Sequence, residues 1–223
     1  MHPVQIPQKI LDANLRRRGR VHAIESIDPK RTALVVIDMT NAWLVPGMSC
    51  EIAEARTIIP NINRIAAALR KAGGVVAWTQ HSWGDWPHFY EQFTTKEWRD
   101  HAFRDTAIGS FGHQVSPDMN TDRADIFVTK NRPSAFIQGS SDIEQRLRAR
   151  GIDTLIITGT LTNACCEASA RDASALGFRI IFVADGTATR TDEEHNAALI
   201  NVMQYVADLR WTDEVVALIE GRG

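Results

Sequence analysis

Three residues in this chain could do covalent chemistry by type and position. Cys165 falls in the first turn of a helix expected from about Asn163 to Leu176, Asp38 ends one apolar strand, and Lys130 ends another. A helix N-terminus and a nearby cation both favour the thiolate of a cysteine, which makes it a nucleophile. The unpaired N–H groups of that first turn can also hold an oxyanion. A carboxylate closing a strand with five apolar residues before it is costly unless it is paired or used. Each residue also has an ordinary reading: a buried structural cysteine, a helix N-cap, a lysine facing solvent. Together they bring a thiol, a proton acceptor and a cation to one place.

That place is set by the elements that carry them. Ala33-Leu-Val-Val-Ile-Asp38 is a short, nearly all-apolar run, as a buried parallel strand reads. A helical pattern follows at Ile58, Ile59, Ile62, Ile65, Ala66 and Leu69, stopped by Gly73-Gly74. Further strands are expected at 75–79, 126–129, 154–158, 179–183 and, weakly, 209–211. Helices are expected around Ile143 and Leu147, from Asn163, from Asp192 to Val206, and at the end of the chain. Such alternation makes a parallel sheet with right-handed crossovers, whose ligands lie beyond the carboxyl ends of the strands at a switch point. Asp38, Lys130 and the 159–165 turn all fall at such ends. The expected fold is α/β: a single-domain, Rossmann-like three-layer sandwich with a mostly parallel sheet of about six strands. Residues 1–30 read as a polar, basic arm before a domain spanning 31–223. The stretch 81–125 breaks the alternation and is rich in aromatic residues, which fits either a cover over the active edge or a subunit contact.

Composition narrows the function. The 223 residues carry a net charge of −2 and are 44% hydrophobic, an ordinary globular balance. This argues against nucleic acid or a membrane surface as partner. The basic run Arg16, Arg17, Arg18 and Arg20 is expected to be solvated or paired with acids of a neighbouring subunit. Three cysteines, Cys50, Cys165 and Cys166, make neither a disulfide framework nor a zinc site. No run approaches the roughly 20 apolar residues of a membrane helix. A cytoplasmic protein is expected.

Three segments are similar to motifs of the isochorismatase-like cysteine hydrolases, a family that includes nicotinamidases, N-carbamoylsarcosine amidases, ureidoacrylate hydrolases and isochorismatases. They are Ala33-Leu-Val-Val-Ile-Asp-Met-Thr-Asn41, Val128-Thr-Lys-Asn-Arg-Pro-Ser-Ala-Phe136 and Thr158-Gly-Thr-Leu-Thr-Asn-Ala-Cys-Cys-Glu-Ala-Ser-Ala-Arg-Asp-Ala173, in the family's order. The resemblance covers about residues 31 to 215. It implies Cys165 as nucleophile rather than Cys166, with Asp38 and Lys130 completing the catalytic centre. It also implies a cis peptide at Thr160–Leu161 and an oxyanion hole made by the N–H groups of Leu161 and Cys165. Pro133 departs from the aromatic residue usual in the family. The Asp-x-His metal motif of the nicotinamidase branch is missing between Asp38 and Trp78, so no metal and no cofactor are expected, and His81 and His88, near Asp85, read as surface histidines.

The implied activity is amide hydrolysis of a small ureido, carbamoyl or carboxamide compound through a thioester. The alternatives are a vinyl-ether hydrolase of the isochorismatase kind, a binding protein of the same fold, and a redox pair at Cys165–Cys166. Asn41, Trp43, Trp83, Arg132 and Phe136 are the expected substrate-binding residues. A homo-oligomer, dimer or tetramer, is expected from the resemblance and from the aromatic-rich segment.

Overall fold

The computed structural model describes residues 1–83 and 91–222. Six strands form one sheet: β1 (Thr32–Ile37), β2 (Val75–His81), β3 (Ile126–Lys130), β4 (Thr154–Thr160), β5 (Arg179–Ala188) and β6 (Asp208–Arg210). Their order across the sheet is β3-β2-β1-β4-β5-β6, and every pairing is parallel. The switch point, where the order reverses, lies between β1 and β4. The helices are α1 (Gln8–Arg18), the single turn α2 (Asn41–Leu44), α3 (Ile59–Lys71), α4 (Lys96–Asp105), α5 (Ile143–Arg148), α6 (Glu167–Ala175), α7 (Asp192–Tyr205) and α8 (Thr212–Ile219). None among the described residues is long and apolar enough to cross a membrane.

The all-apolar strands are explained by burial on both faces. Leu34 and Val36 of β1 point to one core, with Ile62, Ile65 and Leu69 of α3 and Val215 and Leu218 of α8. Ala33, Val35 and Ile37 point to the other, with Ile143 and Leu147 of α5, Ala170 and Ala173 of α6, and Leu199 and Val202 of α7. Alternation along one strand thus feeds two helical layers.

Three local differences from the sequence reading have physical causes. β5 runs to Ala188 rather than stopping at Val183. Asp185, which reads as a breaker, instead holds the strand to its neighbours by accepting from Thr212 N and Oγ1 at 2.8 Å each and from Asn61. The helix expected from Asn163 begins as a wide π turn over Thr162–Cys166 and becomes regular only in α6. The basic arm contains α1; Arg20 pairs with Glu25 at 3.3 Å, while two other arginines serve the chain's own helix end. Arg17 donates to the carbonyl of Gln204 and Arg18 to that of Met203, so these cations complete the C-terminal end of α7.

Candidate active site

Asp38 follows β1 directly and turns the chain with φ of +52°, a left-handed conformation that Asp tolerates better than most residues. Its side chain is fully buried. Across the switch point, Gly159 of β4 lies in register with Ile37. Its φ is +110°, and a Cβ there would come within 2.0 Å of the Ile37 carbonyl oxygen, so only glycine lets β4 pass this close to the root of Asp38. Beyond β4 the chain passes a cis Thr160–Leu161 peptide and enters the π turn that carries Cys165.

Lys130 ends β3, two strands away from β1, yet its ammonium reaches the centre. Nζ lies 2.8 Å from Asp38 Oδ2 and 3.4 Å from Cys165 Sγ. It also donates to the Arg132 carbonyl at 3.1 Å and lies 3.2 Å from His81 Nδ1. Thr79 of β2 donates its hydroxyl to Asp38 Oδ1 at 2.9 Å, and the Asp38 N–H returns to the Thr79 carbonyl. β2 is therefore the spacer that spans the gap, contributing Thr79 on one side and His81 on the other.

Electrostatics follow from this burial. Desolvation acts to lower Lys130, but Asp38 at 2.8 Å, helped by the hydrogen bonds to Asp38 and Cys165, outweighs it and holds the ammonium above its ordinary range. Burial pushes the Cys165 thiol up to about 12, with Lys130 pulling down and Asp38 pushing up. Burial therefore acts against a preformed thiolate at Cys165. Burial, reinforced by the Lys130 charge, keeps His81 well below its usual range and neutral. Cys166 faces the core with Sγ 3.8 Å from the Thr158 carbonyl, and burial raises it well above a normal thiol.

A cavity of about 230 Å³ opens on Cys165. Trp43, Trp83 and Trp98 form aromatic walls; Cys50, His81, Pro133, Leu161, Ala164 and Arg190 complete it. Of the five expected substrate-binding residues, Trp43 and Trp83 line this cavity and three do not. Asn41 is buried in α2, where its amide donates to the Phe111 carbonyl at 3.0 Å; it anchors the 111–114 segment. Phe136 packs in the core beneath, 5.9 Å from the Phe178 ring, because Ser134 accepts from the N–H groups of Phe136 and Ile137 and turns the chain inward. Phe136→Ala should accordingly cost about 3–5 kcal/mol of stability in denaturant unfolding without raising KM. Arg132 donates from its guanidinium to the Asn131 carbonyl at 2.9 Å, and its own carbonyl accepts from Lys130.

His81 also corrects the surface reading: it is 2% exposed. It lies in register with Lys130 on the adjacent strand, so the rule that singled out Asp38 and Lys130, a polar residue ending an apolar strand, applies to it as well. Arg190 lies two residues past β5, behind Asp185, Gly186 and Thr187, and the rule does not reach it. Cys50 arrives on a loop and Trp98 on α4, and neither leaves such a signal. His88 and Asp85 lie outside the described residues, and among the described residues no cluster of three or more metal-binding side chains occurs. Part of the 81–125 stretch closes the site: Ser116 N and Asn41 N pair with Met39 O and Gln114 O, and Trp83 stacks on Phe103 with centroids 6.2 Å apart.

Comparison with known proteins supplies relatives for this geometry. The family model described as the isochorismatase domain matches residues 32–214. A ureidoacrylate amidohydrolase, RutB of Methylobacterium radiotolerans, is 29% identical over 244 aligned positions, covering all of this chain and 93% of that protein. The crystal structure of a cysteine hydrolase from Pseudomonas syringae pv. phaseolicola superposes with a TM-score of 0.80 at 23% identity, over 92% of this chain and 99% of that one. The N-carbamoylsarcosine amidase of Thermoplasma acidophilum gives 0.67 at 24% identity, over 82% and 97%. At these identities the two structures speak for the fold.

Proposed function

The chain belongs to the isochorismatase family, and on that premise we propose that it is a cysteine amidohydrolase that cleaves a C–N bond of a small ureido or carbamoyl acid. The observation that carries this is a thiol, a carboxylate and an ammonium converging, all buried, beside an aromatic cavity of about 230 Å³. Similarity to a ureidoacrylate amidohydrolase supports the ureido class. That volume suits a small molecule, not a polymer.

In the proposed mechanism Asp38 takes the proton of the Cys165 thiol as sulfur attacks the amide carbonyl. The C–S bond forms and the carbonyl π pair moves onto oxygen, which rests on the N–H groups of Leu161 and Cys165. Each such donor is typically worth about 3 kcal/mol of barrier. Lys130 remains an ammonium throughout and balances the charge passing between sulfur and carboxylate. Protonated Asp38 then gives its proton to the departing amine as the C–N bond breaks, leaving the acyl group on sulfur. Water, deprotonated by the same carboxylate, attacks the thioester and returns the thiol. A thiol with its pKa pushed up to about 12 needs such a base at neutral pH.

Arg190 supports the acid part of the reading. It is an exposed residue on the cavity wall, and it makes no hydrogen bond or ion pair with a described residue. A free guanidinium fits a substrate carboxylate. Arg190→Leu is expected to raise KM for a carboxylate-bearing ureide about tenfold or more with kcat little changed, measured by ammonia release. A neutral analogue of the same size should be unaffected. Equal losses for both compounds would remove the carboxylate from the proposal.

A further inference from the structure

His81 is a second polar contact of the catalytic cavity, and nothing in the mechanism above uses it. Its ring lines the cavity, is 2% exposed, and has one nitrogen, Nε2, with no hydrogen-bond partner among the described residues. A buried polar nitrogen left so is costly, typically comparable to a lost hydrogen bond. The other nitrogen is committed: Nδ1 lies 3.2 Å from the Lys130 ammonium, which has only hydrogens to offer. With Nδ1 accepting from Lys130 rather than donating to the Arg132 carbonyl, which also lies beside the ring, the proton of a neutral ring sits on Nε2. Two edge-on aromatic contacts hold the ring: Trp43 at 5.9 Å and 85°, Trp83 at 4.4 Å and 86°. Register with Lys130 on β3 fixes its backbone.

From this geometry we infer that His81 is a specificity-determining residue: its Nε2–H donates to an acceptor oxygen of the substrate other than the scissile carbonyl, in a carboxylate or a second carbonyl group. This rests on the proposed amide hydrolysis and sharpens it. The lysine that balances the reacting charge also sets the tautomer that reads the substrate. A compound offering only alkyl at this point leaves the donor unpaired in an apolar site and is rejected. Selection of this kind is stronger than any by shape alone, since a hydrophobic wall discriminates poorly while an orphaned donor discriminates well. Arg190 attracts an acid at the wall, and His81 tests whether an oxygen arrives inside.

The test pairs N-carbamoylglycine with N-propylurea, of similar size but with no second acceptor, in steady-state ammonia release. Two variants separate the edges of the ring. His81→Asn keeps an oxygen near the Nδ1 position for Lys130 but has nothing at Nε2. His81→Gln places an amide N–H at the reach of Nε2. For N-carbamoylglycine the Asn variant should show KM raised roughly ten- to hundredfold with kcat within a few-fold, while Gln restores KM to within about fivefold. Read as a ratio, the preference in kcat/KM for N-carbamoylglycine over N-propylurea should fall about tenfold or more in the Asn variant, which has no donor left to orphan, and recover most of the way in Gln. Wild-type KM in the Asn variant with a fall of kcat in Gln would make His81 only a prop for Lys130 and overturn the inference. Calorimetric titration of Cys165→Ala with N-carbamoylglycine separates the two layers. Binding that weakens with His81→Asn while the wild type releases no ammonia would sink the reaction and keep the contact. Turnover with KM indifferent to His81→Asn would sink the contact and keep the reaction. Absence of both binding and turnover would sink both.

Discussion

Cys165→Ala is expected to lower kcat by roughly a thousandfold or more, as removal of a covalent nucleophile does, with the fold intact by circular dichroism. Cys166→Ala should keep most of the activity, because that side chain points away from the cavity into the core. It should instead lose stability slightly, as a small buried group does. Alkylation of the free protein by iodoacetamide adds a pH signature. With the Cys165 thiol pushed up to about 12, the reactive fraction grows with each unit of pH. The labelling rate should climb from pH 7 to 10 without a plateau, and peptide mapping should place the label on Cys165. A plateau near neutrality would mean a preformed thiolate and would remove Asp38 from the first proton transfer. Full activity in Cys165→Ala, above all toward isochorismate, would defeat the amidohydrolase reading and leave the family assignment in place.

Lys130→Met should cost about 3–5 kcal/mol of unfolding free energy and nearly all activity. The ammonium and the Asp38 carboxylate are both completely buried, and deleting one partner strands the other's charge. The stability loss should therefore shrink when the partner is neutralised too. The double variant Lys130→Met with Asp38→Asn is expected to regain most of the lost stability in urea unfolding while remaining inactive. This separates a charge effect from a packing effect, since the methionine has nearly the length of lysine in both proteins. Equal losses in the single and double variants would show that shape, not charge, sets the penalty.

How much of this was legible in the sequence depends on where each residue sits. Apolar runs ending in a polar residue revealed β1, β3 and, with them, Asp38 and Lys130, because burial on both faces admits no polar alternation. The same rule covers His81, but a histidine followed by serine, tryptophan and glycine also reads as the start of a loop, and Arg190 stands too far beyond its apolar run for the rule to reach it. Phe136 looked like a pocket wall from its nearness to Lys130. Nothing in spacing told that the Ser134 hydroxyl turns it under the sheet. Asn41 gives its amide N–H to the Phe111 carbonyl, since a buried amide serves a backbone carbonyl as readily as a ligand, and spacing does not tell the two apart. The arginines of α1 find their partners about 186 positions away on helix-end carbonyls, and no local pattern encodes so distant an acceptor.

Lys130 lies on β3, an outermost strand held by a neighbour on one side only. Its side chain crosses above the end of β2 to reach Asp38, so the catalytic cation also acts as a clasp that fastens the border of the sheet to its middle. Outermost strands are among the first to open in local fluctuations. Two consequences follow for the life of the molecule. Heating should silence it before the interior melts, because β3 can lift while β1, β4 and β5 stay assembled. And amide hydrogen exchange in residues 126–130 should quicken whenever the clasp is cut, so that a chemical group and a mechanical one are lost in the same event.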